Sequence, residues 1–94
     1  MQMPEPRRYQ TEWERLRLVV EARPIDTAVP EHWQLFVYDV ENCEVLHTAK
    51  RLTLDIAKIG AVEYAIGYRF GRRSDLEPGI ISGMLEWKAV ATHR

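Results

Sequence analysis

Histidine, cysteine and carboxylate side chains are the residues of this chain that could carry out catalysis or bind a metal. The three histidines, His32, His47 and His93, are too far apart in sequence for the usual metal-ligand spacings, and Cys43 is the only cysteine. The phosphate-binding glycine loop, the nucleophile elbow and the zinc-binding helix motif do not occur. The sequence therefore predicts no catalytic residue, no metal and no cofactor.

One pair of side chains could still act as an acid and a base. If residues 33–52 form a hairpin that turns at residues 42 and 43, His47 lies opposite Tyr38 or Asp39. A histidine beside Asp39 would form an acid–base pair. A polar cross-strand pair on a sheet surface is the commoner arrangement for such residues.

Arginines and aromatic rings are concentrated around residues 64–73, and single-strand binders use this combination to stack bases and contact phosphates. Trp13 is predicted to share a strand face with two further arginines. The alternative is that the arginines complement the negative end of a helix and that the tyrosines, Tyr64 and Tyr68, pack on the sheet. The candidate nucleic-acid contacts are Arg15, Arg17, Arg69, Arg72 and Arg73.

Residues 53–71 are predicted to form a long helix, with Thr53 as its N-cap and Gly71 just beyond its C-terminus. Its helical wheel is apolar on two opposite sides, which requires cover from two directions. We expect the alanine stripe, Ala57, Ala61 and Ala65, to pack on a sheet. The second stripe is expected to meet another copy of the chain in a homodimer, through Ile59, Val62, Ile66 and Phe70.

Two glycines inside this helix, Gly60 and Gly67, each cost about 1 kcal/mol relative to alanine. Their spacing of seven residues places them close together on the wheel. We expect another segment to pack closely against both.

The remaining segments are predicted to be mainly extended. Residues 12–23 alternate as one strand, and residues 45–52 return as a third strand. Between them, residues 33–40 have large side chains on both faces and are predicted to form a central strand that is covered on both sides. Asn42 is the expected left-handed residue of the turn at 41–44. Residues 80–91 fit a strand better than a helix, although both remain open. The predicted fold is α+β, with a three- to four-stranded antiparallel sheet in β-β-β-α-β order and one long helix on one face.

Composition limits the remaining possibilities. The chain has 94 residues, which suit one domain, here residues 11–94 after a mobile arm at residues 1–10. Its net charge of −1 provides no general attraction to nucleic acid or membranes. No apolar run approaches the ~20 residues of a membrane span, and residues 1–10 lack the apolar segment of a secretory signal. With one cysteine excluding an internal disulfide, these features predict a cytoplasmic protein.

The leading hypothesis is a non-enzymatic cytoplasmic module that self-associates through its helix and binds another macromolecule by its sheet. The alternative is a nucleic-acid-binding protein that uses the arginine and aromatic residues. A small enzyme with a site at a dimer interface is a third possibility.

Overall fold

The computed structural model describes residues 7–24, 30–71 and 75–90. These residues form one antiparallel sheet in the order β4-β3-β2-β1-β5, with α1 packed on one face. The predicted α+β class and the long helix on an antiparallel sheet are confirmed, but the described residues contain five strands and two helices. The elements are β1 (Arg8–Trp13), β2 (Leu16–Arg23), β3 (His32–Asp39), β4 (Glu44–Arg51), α1 (Leu54–Phe70), α2 (Pro78–Met84) and β5 (Lys88–Ala89).

The predicted first strand, residues 12–23, is in fact parts of two strands. Trp13 pairs with Leu16, so Glu14 and Arg15 form a two-residue hairpin turn. Both turn residues have positive φ angles, 53° and 62°, as this tight turn requires. Neither is glycine or asparagine, so the sequence carries no turn signal at this point and predicts one strand.

The first strand also begins earlier in the sequence than predicted. Residues 8–10 were assigned to a mobile arm, but they are the first half of β1 and pair with β2 from Arg8 opposite Glu21. Residues 1–6 of the predicted arm lie outside the described residues.

Both predicted ends of α1 are confirmed. The Thr53 hydroxyl accepts a hydrogen bond from the Ile56 N–H at 3.2 Å. Gly71 has a φ of 78°, and its N–H donates to the Gly67 carbonyl. These contacts satisfy backbone groups that a helix end otherwise leaves unpaired.

The apolar stripe assigned to a second subunit is divided by the fold. Val62 is fully buried and Ile66 is 6% exposed, and both belong to the core that α1 forms with the sheet. The buried face of α1 is therefore wider than the alanine stripe. Ile59 and Phe70 remain 37% and 47% exposed. The four residues consequently do not form one free surface.

The segment after the long helix differs from its favoured prediction. Residues 80–91 were expected to be a strand, with a helix as the alternative, but Pro78–Met84 form α2, and of the described residues only Lys88–Ala89 pair with β1 as β5. Pro78 suits the first turn of a helix, because the backbone N–H that proline lacks would have no partner within the helix there. The helix α2 packs beside α1, and Ile81 packs against the core.

The turn between β3 and β4 is held by Asp39. One carboxylate oxygen accepts the backbone N–H groups of Glu41, at 2.8 Å, and of Asn42, at 3.3 Å. The left-handed residue is Cys43, with a φ of 53°, and not Asn42 as predicted.

No helix in the described ranges is long and apolar enough to cross a membrane.

Candidate functional site

The sheet has one face covered by α1 and one face on which neither helix packs. Directly paired residues of adjacent antiparallel strands share a face. Because Leu18 and Val37 pair and lie in the core beneath α1, the alternate positions form the opposite surface, which we call the open face. Its described strand residues are Arg8, Gln10, Glu12, Arg17, Val19, Glu21, Arg23, His32, Gln34, Phe36, Tyr38, Val45, Thr48, Lys50 and Lys88.

The open face carries much of the protein's positive charge. It contains five lysines and arginines against two glutamates, a formal charge of +3 with histidine neutral. The whole chain has a net charge of −1, so all other positions together carry −4. The fold thus concentrates positive charge on one surface of a protein with almost no overall charge.

Ion pairs order the arginines of this face. Glu21, 8% exposed, accepts Arg23 at 2.8 Å and Arg8 at 3.5 Å. Glu12 pairs with Arg17 at 3.5 Å in a more exposed contact. The three Nε atoms of these arginines are buried and form no hydrogen bond with a described residue. Each guanidinium stem therefore lies along the sheet, with its charged end at the surface.

Two aromatic rings lie among these charges. Phe36 and Tyr38 alternate along β3, with ring centroids 6.1 Å apart and ring planes inclined by 21°. Both side chains are half-buried. Arg17 is directly opposite Tyr38 in β2, and fully buried Val19 is opposite Phe36. The open face therefore combines a stacked pair of rings with adjacent cations.

No family model, curated protein or solved structure matches this chain. Its function must be inferred from the geometry and charge of its own surfaces.

Of the five predicted nucleic-acid contacts, Arg15, Arg17 and Arg69 are described, and they do not share one face of the sheet. Arg17 lies on the open face, whereas Arg15 is in the β1–β2 turn and pairs with Glu41. The Nε of Arg69 donates to the Glu14 carbonyl at 2.8 Å, at the C-terminal end of α1. Arg72 and Arg73 lie outside the described residues.

Sequence reasoning missed most of the open face. Arg8 belongs to the predicted arm, and Arg23 is the last residue of the strand predicted at residues 12–23. Phe36 and Tyr38 were recognised as one side of a central strand, which was expected to be covered on both sides. Their spacing of two residues was the available signal, but the sequence did not show that neither of the two described helices packs on this side.

The other aromatic residues of the sequence prediction lie on the helix side. Trp13 pairs with Leu16 and packs on Phe70 with centroids 5.9 Å apart, so it does not share a face with Arg17. Tyr64 stacks on His47 with centroids 4.3 Å apart and planes inclined by 3°. These rings connect the helix to the sheet.

The predicted acid–base pair is not formed. His47 lies opposite Val37, whereas Asp39 lies opposite Glu44, because the turn takes up all four residues between Asp39 and Glu44 and not residues 42 and 43 alone. Within the described residues, no group of three or more histidine, cysteine or acidic side chains could hold a metal ion.

A second exposed feature is an apolar groove beside α2, which we call the α2 groove. It has a volume of about 530 Å³. Ile80 is 64% exposed and Met84 is 78% exposed, one helical turn apart. The described residues that line it are Trp13, Asp75, Leu76, Glu77, Ile80, Ile81, Met84 and Leu85.

Proposed function

We propose that this protein binds nucleic acid on the open face of its sheet. The observation that carries the proposal is the charge of +3 on this face of a chain whose net charge is −1. A local field of this kind attracts a polyanion even when the whole protein does not. Arginine supports the same function because its planar guanidinium pairs with phosphate through two hydrogen bonds.

The arrangement of the charges suits an extended phosphate backbone. Lys88 is on β5 at one sheet edge and Lys50 is on β4 at the other, with arginines on the strands between them. Adjacent strands lie about 4.8 Å apart, so the face is about 19 Å wide. Several phosphates could therefore contact cations on different strands at once.

Partial neutralisation of the arginines sets the expected strength of binding. Arg8, Arg17 and Arg23 already contact two carboxylates, so the free charge corresponds to about three phosphates. For a single strand, the logarithm of the affinity should then fall with the logarithm of salt concentration with a slope of about −2. Binding of this kind is weak at high salt and measurable at low salt.

The experiment is fluorescence anisotropy of short labelled oligonucleotides at several salt concentrations. We expect Arg17→Gln combined with Lys50→Gln to weaken binding and to reduce the salt slope for a single strand by up to about 1.4, or about 0.7 for each lost contact. The control, Lys58→Gln combined with Arg69→Gln, removes the same charge from the helix α1 and should bind more tightly than the open-face variant. Absence of wild-type binding to single- and double-stranded DNA and RNA at low salt would overturn the proposal.

A second candidate function is self-association through the α2 groove. This function keeps the interaction-module hypothesis, but the self-associating surface is the α2 groove and not the apolar stripe of α1. Ile80 and Met84 are exposed beside a concave apolar surface, so side chains of one copy could insert into the groove of another. A two-fold dimer needs such self-complementarity. Light scattering of Ile80→Asp tests it, with Leu52→Asp as the control because Leu52 is 80% exposed and does not line the groove.

A further inference from the structure

We infer that the open face takes single-stranded nucleic acid in preference to duplexes, because Phe36 and Tyr38 form a platform on which unpaired bases stack. This inference rests on the proposed function and specifies its ligand. The two rings lie two residues apart on one strand, with centroids 6.1 Å apart and an inclination of 21°. The platform is therefore part of the sheet surface and not of a loop.

Both rings are partly buried in the sheet surface. Phe36 and Tyr38 are half-buried, and Val19, which lies opposite Phe36 on the neighbouring strand, is fully buried. Rings held by a sheet lose little conformational freedom when a ligand stacks on them, so more of the contact energy is available for binding.

A cation and an amide lie beside the rings on the same face. Arg17 lies opposite Tyr38 and is held by Glu12 at 3.5 Å. Gln34 precedes Phe36 on the same face, and its amide nitrogen donates to the Thr48 hydroxyl at 3.0 Å. Base stacking on the rings would thus place the adjoining backbone near the Arg17 guanidinium, which is the combination used by sequence-tolerant single-strand binders.

A duplex cannot use this platform. Its bases are stacked on one another, so their ring faces are accessible only after pairing and stacking are broken. A duplex would contact the cations alone, and this purely ionic contact is weaker and more dependent on salt. The inference therefore predicts a preference between ligands as well as binding itself.

The experiment compares a single strand with a duplex of equal length at one low salt concentration. Phe36→Leu and Tyr38→Leu retain apolar cover for the sheet and remove the aromatic ring. We expect each to weaken single-strand binding by about 5- to 150-fold, the range for loss of one base–ring stack. Duplex binding should change by less than about twofold, because its contacts are with the cations.

Two controls separate stacking from structural effects. Tyr38→Phe keeps the ring and should retain nearly the wild-type affinity for a single strand. Tyr68→Leu removes a ring that is 45% exposed on α1, and it should leave the affinity unchanged. Circular dichroism confirms that each variant is folded before its affinity is compared.

The outcomes distinguish the inference from the proposed function. If both leucine variants bind single strands like the wild type while Arg17→Gln with Lys50→Gln weakens binding, stacking is wrong and the basic face still binds nucleic acid. If the wild type binds duplexes as tightly as single strands, the preference is wrong. Failure of the wild type to bind any oligonucleotide at low salt overturns both.

Discussion

A Cβ atom at Gly60 would lie 2.9 Å from Cδ2 of Leu35, which is fully buried in the sheet. It would also lie 3.4 Å from the Nε of Arg51. The same atom at Gly67 would meet nothing within 4 Å. The two glycines of α1 therefore have different roles, and close packing explains only Gly60.

Alanine substitutions at these two glycines should consequently have different effects on stability. Gly67→Ala should raise the free energy of unfolding by about 1 kcal/mol through helix propensity alone. Gly60→Ala gains the same propensity but must displace a packed leucine, at a cost of about 1–3 kcal/mol. Urea unfolding should therefore find Gly60→Ala less stable than Gly67→Ala by about 1–3 kcal/mol, and equal stabilities would contradict this packing.

Sequence reasoning located α1 well because its signals are local. A capping threonine, apolar periodicity and a terminal glycine act within the segment itself, and Thr53 and Gly71 have the predicted roles. Which faces of this helix are buried depends instead on segments that are distant in the sequence. Val62 and Ile66 could be assigned to the core only after the sheet and α2 were placed around them.

The β1–β2 turn was missed for a related reason. Turn prediction relies on residues that favour positive φ, and Glu14 and Arg15 do not. Missing this turn merged two strands and placed Trp13 on the wrong face. It also hid the open face, because the pairing of β1 with β2 brings Arg8 beside Glu21.

The turn gives a direct stability prediction at Arg15, whose φ is 62°. A residue with a Cβ atom pays about 1–2 kcal/mol for left-handed geometry, and glycine avoids this cost. Both Arg15→Gly and Arg15→Ala lose the exposed ion pair with Glu41. The difference in stability between the two variants therefore measures the cost of the left-handed backbone conformation alone. Thermal or urea unfolding should find the glycine variant more stable by about 1 kcal/mol. A more stable alanine variant would show that position 15 does not need positive φ.

Because Ile66 is buried, replacing it with a charged residue should unfold the protein. Ile66→Asp places an unpaired charge where the side chain is 6% exposed, and the cost of several kcal/mol approaches the total stability of a small domain. We expect loss of the native circular dichroism spectrum. Ile59→Asp, at a position 37% exposed, should lose far less stability. A folded Ile66→Asp protein with a lower mass in solution would instead support the helix-stripe dimer.

The two glutamates of the open face should contribute unequally to stability. Glu21→Gln removes the charge partner of two arginines at a buried site, so it should lower the free energy of unfolding by about 1–3 kcal/mol. Glu12→Gln removes one exposed pair, with side-chain exposures of 56% and 43%, and should cost less than about 1 kcal/mol. Urea unfolding of both variants measures the difference. Equal losses would mean that burial of Glu21 does not strengthen its contacts.

Glu12→Gln should also bind nucleic acid more tightly than the wild type. It raises the charge of the open face by one and releases Arg17, opposite Tyr38, from its carboxylate partner. One additional phosphate contact should increase the salt slope for a single strand by about 0.7 and raise the affinity most at low salt. The control is Glu63→Gln, which makes the same charge change on α1, at a residue that is exposed. Anisotropy titrations should show a larger gain for Glu12→Gln, whereas equal gains would indicate that only net charge matters and that the open face is not the binding surface.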